Sequence, residues 1–565
     1  MPFRTHFRDG AFERIRFVLK GKNEGLREAM ETLYYNGRIF TGEAPDAFVS
    51  AFRVKDGKFV WAGDFKGEPP EASVNLEGRA VVPGFIEAHT HPLLVSETIH
   101  SVPCTIPAVH SIAEILAALK KHPNYGKGPE DWILGWGHDE SKLAEHRTPT
   151  RHDLDKVSTT QPVYLLRSDV HSGVCNTRAL EMAGITRDTP DPEGGLIGHD
   201  PDGEPNGVFT ELGANALIRN VIERPDHANA VKAMAACGPH YRERGYVAIT
   251  EMMAKTGGAL DSLSVFREAA AVEGGLGTQA GLYRIWTGGA DPHGMPDLTG
   301  DEKTGRIRVV GIKLFADGSI SGQTAWVSKP YLGTGECGMC VLEPEVIEAA
   351  AQYAERNGIQ VSIHVMGDRS IQRIIDFFEG RKGWMKERPS VRLEHVSLIT
   401  AAQLDQMKRQ AVNYGLTTQI IFAYAEIEGY QKALDAETLK TIYPVRTLFD
   451  KAEALALSSD SPATTWMDPE DVFVSAKAAV TRRAYNGVSI NPEEAISVGE
   501  ALYLYTGGAA KLLAFEDPVG MVKAGYEADF SILSADPFAI EPEKLDTVRI
   551  ARFYQKGELA YEAKA

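Results

Sequence analysis

The pair His89 and His91 lies at the end of an apolar run, Val81-Val82-Pro83-Gly84-Phe85-Ile86-Glu87-Ala88-His89-Thr90-His91-Pro92. On a strand, residues two apart face the same side. Both imidazoles then point together, and two neutral imidazoles on one face suit zinc or a similar ion. Two solvated histidines would look the same, so the pair needs company. The chain has 16 histidines, yet beyond residue 300 only His364 and His395 remain. Each ends a strand-like run, Gln360-Val361-Ser362-Ile363-His364 and Val391-Arg392-Leu393-Glu394-His395. Either one alone reads as a buried core histidine. Two at successive strand ends, after His-x-His, point to a ligand set. Asp460 follows Ala454-Leu455-Ala456-Leu457-Ser458-Ser459; a buried carboxylate there needs a partner, a metal-bound water or the next turn. Lys313 sits inside Val310-Gly311-Ile312-Lys313-Leu314-Phe315-Ala316-Asp317. A lysine on a buried strand must be paired, for example with Asp317, or neutral, or modified.

The elements that must position these residues alternate between strand and helix. Runs 281–286, 309–317, 360–368, 391–397 and 454–460 are rich in Val, Ile and Leu on consecutive positions, as buried parallel strands require. Between them, Glu343-Pro344-Glu345 opens a helix that Asn357-Gly358 closes. Thr400 with Gln403, and Ser111 with Glu114, have the capping-box spacing. The fold class is α/β, a (β/α) barrel or an open sheet, and barrel active sites lie at the C-terminal ends of the strands. Residues 33–82 and the C-terminal segment 516–565 instead carry short strands with Gly-rich turns, including Asn36-Gly37 and Asp56-Gly57 as hairpin signals. The two ends are expected to pair into one small β domain (32–82 plus 516–565) beside a barrel domain (83–515). An insertion at about 92–240 is too long for a βα loop and is expected to form a subdomain over the barrel mouth. Residues 1–31 read as an N-terminal arm used in oligomerisation.

Composition bounds the rest. The chain has 565 residues, 43% hydrophobic and 24% charged, which excludes a mainly disordered or fibrous protein. With 77 acidic and 60 basic residues the net charge is -17, which disfavours nucleic acid and anionic membrane as partners. No secretory signal or membrane span is visible, and five cysteines make no disulfide scaffold, so the expected location is cytoplasmic. Cys337-Gly338-Met339-Cys340 has no second pair at zinc-ribbon spacing and reads as a turn with two reduced thiols. Gly194-Gly195 reads as a turn, and Trp132, Trp136 and Trp286 as core residues.

Taken together, the ordered motifs resemble the amidohydrolase superfamily of metal-dependent hydrolases, and within it the YtcJ-like branch that includes N-substituted formamide deformylases. The resemblance rests on Pro83 to His91, Ile312-Lys313-Leu314-Phe315-Ala316-Asp317-Gly318-Ser319, His364-Val365-Met366-Gly367-Asp368, Arg392-Leu393-Glu394-His395 and Ser459-Asp460-Ser461-Pro462. Arg167-Ser168-Asp169-Val170-His171 with Asn176, and Gly520 to Asp529, extend it over nearly the whole chain after residue 32. It implies a distorted (β/α)8 TIM barrel with a flanking β-sandwich built from both chain ends. It also implies a binuclear metal centre: His89 and His91 on the more buried ion, His364 and His395 on the second, and Lys313 carboxylated by CO2 to a bridging carbamate. Asp460 would bind the first ion and act as the catalytic proton shuttle. Two Zn(2+) ions are the implied cofactors, with manganese, iron or cobalt also suited to such N/O sites. A hydroxide shared by the ions would attack the scissile carbonyl.

His171, in the insertion, and Asp317 are the candidate substrate contacts; His171 reads equally as a polar residue of the insert surface. Relatives often carry Arg where Gln323 stands, a departure that bears on the substrate pocket. The implied function is hydrolysis of an amide, N-formyl or N-acyl C–N bond of a small molecule, by an enzyme expected to be a homodimer. Two rivals are an aminohydrolase acting on a ring and a non-catalytic regulatory or binding protein on the same fold. The first usually has a Glu shortly after the His of the third ligand strand, where this chain has Val365-Met366-Gly367-Asp368. Proteins of the second kind lose ligands, and all six positions are present here.

Overall fold

A computed structural model describes residues 31–564 apart from 169, 193, 223–225, 259 and 514. The N-terminal arm and Asp169 of the Arg167–His171 motif therefore lie outside the described residues.

Eight parallel strands form the central sheet: β1 Phe85–Thr90, β2 Tyr246–Ala254, β3 Gln279–Ile285, β4 Ile307–Phe315, β5 Gln360–Val365, β6 Val391–His395, β7 Tyr414–Thr418 and β8 Leu455–Leu457. Each pairs with the next in chain order, from β1 to β8, in a nearly closed TIM barrel. The strands are buried along almost their whole length, which explains their unbroken apolar runs. Register places Lys313 beside Ser362, Phe315 beside His364, and Val365 beside His395, so the chemistry-bearing residues crowd the C-terminal ends of β4, β5 and β6.

Helices return the chain between strands. Pro344–Asn357 starts with Pro in its first turn and ends on Gly358 at φ +67°, a left-handed cap that only glycine adopts without cost. Thr400 and Gln403 form a reciprocal capping box on Ala401–Arg409. At Ser111 the pattern is only half met: its hydroxyl accepts from the N–H of Glu114, but the Glu114 carboxylate accepts from the N–H of His110.

Strands from both chain ends share one sheet, in the order Glu558–Glu562, Ile550–Gln555, Phe530–Leu533, Ala80–Pro83, Arg38–Phe40, Phe48–Val49. A four-stranded sheet of Lys58–Gly63, Ala51–Lys55, Thr32–Tyr35 and Ser73–Asn75 packs against it. Tyr34, Phe52 and Phe59 of the second meet Val81, Phe530 and Ile532 of the first in one aromatic-rich core, which makes the pair a sandwich. Asp56 and Gly57, both at positive φ, turn the Ala51–Lys55 hairpin. Asn36-Gly37 makes no hairpin. The strands on either side lie in different sheets, and Gly37 packs so closely on Leu76 that a Cβ would come within 2.6 Å of its side chain.

Between β1 and β2 lies a six-stranded mixed sheet, ordered Leu196–His199, Pro205–Thr210, Gly173–Cys175, Val163–Arg167, Ile133–His138, Val102–Pro103. Its faces alternate along one strand: Tyr164 and Leu166 enter a core with Trp132 and Trp136, while Val163 and Leu165 enter another with Ile115 and Leu119. Trp286 is buried in the main core. Lys142 ties this layer to the barrel by pairing with Glu428, its Nζ 5.0 Å from the Tyr485 ring centroid. Among the described residues no helix is long and apolar enough to cross a membrane.

Candidate metal centre

β1 and β8 are the two ends of the strand order, and site residues stitch the seam between them. The N–H of Asp460 donates to the carbonyl of His89 at 2.9 Å, and the N–H of His91 donates to Ser461 O at 2.9 Å. The Glu87 carboxylate, buried on β1, accepts from the N–H of Ser459 at 3.1 Å. Burial, with Glu470 nearby, pushes the Glu87 pKa up to about 8.

Asp460 Oδ1 then lies 2.9 Å from His91 Nε2 and 3.2 Å from His89 Nε2. Neither approach has hydrogen-bond geometry, and among the described residues this buried oxygen has no hydrogen-bond partner. Ligand atoms of His89, His395 and Asp460 all fall within 4.8 Å of one another. The ring centroids of His89 and His395 are 4.8 Å apart, and those of His364 and His395 4.4 Å. Four imidazoles and a carboxylate thus converge on one buried volume. Donor atoms that crowd together without bonding each other are what a cation between them requires.

The outer ring atoms are held. His89 Nδ1 is 2.7 Å from Glu394 Oε2, His395 Nδ1 is 2.8 Å from Gln419 Oε1, and His364 Nε2 is 3.1 Å from Gly318 O. Each contact leaves the opposite nitrogen, Nε2 of His89 and His395 and Nδ1 of His364, as the free lone pair. Gln419 is itself fixed by donating to Ser458 Oγ at 2.9 Å. Glu251 on β2 lies 3.8 Å from His91 Nδ1 and accepts the N–H groups of Leu93 and Met253.

Charges in the site are strongly displaced. Burial would raise the Asp460 carboxyl, but His89 and His91 hold it well below the usual carboxylate range. Burial would lower the His91 ring; the Asp460 and Glu251 carboxylates outweigh it and push the pKa up to about 9. Burial, reinforced by His364, keeps His395 well below its ordinary value. Lys313 is 1% exposed, and among the described residues nothing hydrogen-bonds its Nζ. Burial pulls its pKa down to about 8 against the pull of Glu394 and Asp460. The salt bridge to Asp317 is not formed.

Asp317, expected to touch substrate, has a structural task in the fold. Its oxygens accept the N–H groups of Trp326 at 3.0 Å, Met366 at 3.0 Å and Gly367 at 2.9 Å, and its side chain is wholly buried. It braces the loop after β4 against the end of β5. His171 lies on the insert with a half-exposed ring, 3.3 Å from Glu211. Cys337 and Cys340 are half-buried thiols that form no disulfide, in an irregular segment with Gly338 at φ +65°; the turn of this loop lies earlier, at 332–334.

Glu251, Gln419, the Arg392–Glu394 pair and the backbone strain of the site escaped the sequence reading. The Arg392–Glu394 pair beneath His89 was legible in principle, because charged residues two apart on a buried strand share a face. Backbone strain was not. His395 and Val396 have φ of +72° and +40°, Asp460 has +58°, and the N–H of Val396 closes a tight turn onto Glu394 O at 2.9 Å. Such conformations cost of order 1–3 kcal/mol each and gather at functional sites.

A model of the amidohydrolase family matches residues 72–561. The putative amidohydrolase YtcJ of Bacillus subtilis is 28% identical, over 94% of this chain and all of that one. The N-substituted formamide deformylase of Arthrobacter pascens is 27% identical, over 95% of this chain and 99% of that one. An uncharacterized metal-dependent hydrolase from Pyrococcus horikoshii superposes with a TM-score of 0.69 at 26% identity, covering 91% of this chain and 99% of that one. The chain belongs to the amidohydrolase family.

Proposed function

We propose that the protein is a metal-dependent hydrolase that cleaves the C–N bond of an amide, N-formyl or N-acyl group in a small molecule. The observation that carries this reading is the convergence of His89 Nε2 and His91 Nε2 on Asp460 Oδ1, with the buried amine of Lys313, which makes no hydrogen bond among the described residues, in the field of the same carboxylate. Likeness to a formamide deformylase supports the bond class.

His89, His91 and Asp460 would hold one ion, and His364 and His395 a second. Lys313 would serve both as a carbamate: its free amine adds CO2, loses one proton and becomes an anionic oxygen donor in place of a buried cation. Divalent ions, zinc or another suited to N/O ligands, polarise a carbonyl and make water a stronger acid when bound in such a site. The protein's own part is positional and protolytic. Asp460 takes the proton of the attacking water at its carboxylate and delivers it to the leaving nitrogen as the C–N bond breaks. Phe422 stacks on His395 with ring centroids 6.1 Å apart, and the Phe315 ring lies 5.8 Å from that of His364.

The test is a screen of the metal-loaded protein against N-formyl, N-acetyl and cyclic amides, with ring amines, esters and lactones alongside. Turnover of an amide, abolished by Asp460→Asn, supports the reading. Cleavage of esters or lactones with no C–N substrate turned over overturns the bond class.

A further inference from the structure

β6 carries two charges in the middle of the barrel. Arg392 and Glu394 are both fully buried, and their side chains meet with Nε 3.0 Å from Oε1 and Nη2 donating to Oε2 at 3.1 Å. Burying an ion pair this deeply is costly and is weak evidence of stabilisation. Arg392 is also anchored elsewhere: Nη1 donates to Tyr283 OH at 2.6 Å and Nη2 to Ala88 O at 2.8 Å. Glu394 accepts from Ser362 Oγ at 2.7 Å and from Thr417 Oγ1, so strands β5 and β7 also fix its carboxylate. The remaining contact is His89 Nδ1, at 2.7 Å.

Resting on the metal-site reading above, we propose that Glu394 is the positioning residue of the His89 ligand, and that Arg392 holds Glu394 in place for it. A carboxylate at Nδ1 places the ring proton there and leaves Nε2 as a lone pair facing Asp460, and it makes the imidazole a stronger donor. Five groups from the four strands β1, β3, β5 and β7 surround the pair on β6, so the ring is oriented by the rigid barrel wall and not by a loop. Arg392 reaches the same strand as His89 through Ala88 O, which fixes the distance between the carboxylate and the ring. His395 has only a neutral amide, Gln419, in the equivalent place. The two halves of the centre therefore differ in basicity, and His89 is the stronger ligand.

The experiment compares the full-length protein with Glu394→Asp and Glu394→Gln, using Co(2+) as the probe. Glu394→Asp keeps the charge beside Arg392 but is one methylene too short to meet His89. Glu394→Gln keeps the reach and loses the charge. Affinity is read by chelator competition and geometry by the visible absorption of the bound Co(2+), with circular dichroism of the metal-free protein as the check on folding. The expected result is a folded Glu394→Asp protein whose tighter site is weakened about tenfold or more, with a shifted absorption band. Glu394→Gln is expected to show the same direction of change. Wild-type affinity and an unchanged spectrum in Glu394→Asp would overturn the positioning role. If the unmutated protein itself takes up no Co(2+), the metal reading fails first, and this inference with it.

Discussion

His91 Nε2 and Asp460 Oδ1 lie 2.9 Å apart across the seam where the first and last barrel strands meet. The two residues that close the barrel are thus the two that open the candidate metal site, and backbone bonds from Asp460 to His89 and from His91 to Ser461 hold that closure independently of the side chains. Asp460→Asn should therefore leave the fold intact. Loss of a proton-transferring carboxylate predicts a fall in turnover of about 10²–10⁴, with an unchanged circular dichroism spectrum. A variant that retains full turnover would remove Asp460 from the chemistry.

Metal uptake should depend on pH in a defined direction. Without metal, the neighbouring carboxylates keep a proton on His91 up to about pH 9. An ion can bind the ring only by displacing that proton. Affinity is expected to rise with pH through the neutral range and to level off near pH 9, and calorimetry in buffers of different ionisation enthalpy should show protons released on binding.

Lys313→Met separates stability from function. In the metal-free protein the lysine pKa is drawn from 10.5 to about 8 by burial. At ~1.4 kcal/mol per pKa unit, the buried cation costs roughly 3 kcal/mol. That cost is complete below pH 8, where both folded and unfolded chains hold the proton. It fades between pH 8 and 10.5, where only the unfolded chain does. The metal-free variant should therefore unfold at a higher temperature than its parent at pH 7, by a margin that shrinks at pH 10, while retaining less metal.

Much of this site is legible in the sequence because strand ends advertise themselves. Apolar runs stop at His89, His364, His395 and Asp460; the structure clusters His89, His395 and Asp460 and sets the His364 ring 4.4 Å from that of His395. Lys313 stands out for the same reason, a charge inside an apolar strand. A motif residue next to a site, such as Asp317, looks like a substrate contact in the sequence, and its partners in the structure, backbone N–H groups of segments 326 and 366–367, are ones no spacing reveals. Asn36-Gly37 was misread because a turn signal does not say whether the flanking strands pair with each other. Glu251, Gln419 and Glu394 were missed because each acts on a histidine of another strand.

Asp317 braces the loop after β4 through three backbone N–H groups. Asp317→Ala would leave three N–H groups without their acceptor, each costing about 1–3 kcal/mol when buried. The expected outcome is a lower thermal midpoint together with reduced activity, because the loop after β4 carries Gly318 O, the partner of His364. Asp317→Asn, which keeps one accepting oxygen, should be milder. A variant with altered substrate preference and unchanged stability would restore the substrate-contact reading.

The central claim is that four imidazoles, Asp460 and a modified Lys313 form one cage for two divalent ions. Metal analysis of the purified protein after zinc loading and exhaustive dialysis tests it most directly, with His89→Ala as the paired control. The account predicts two retained ions per chain in the unmutated protein and loss of the more buried one in His89→Ala. An unmutated protein that retains no ion, or a His89→Ala variant that retains as much as its parent, would contradict it.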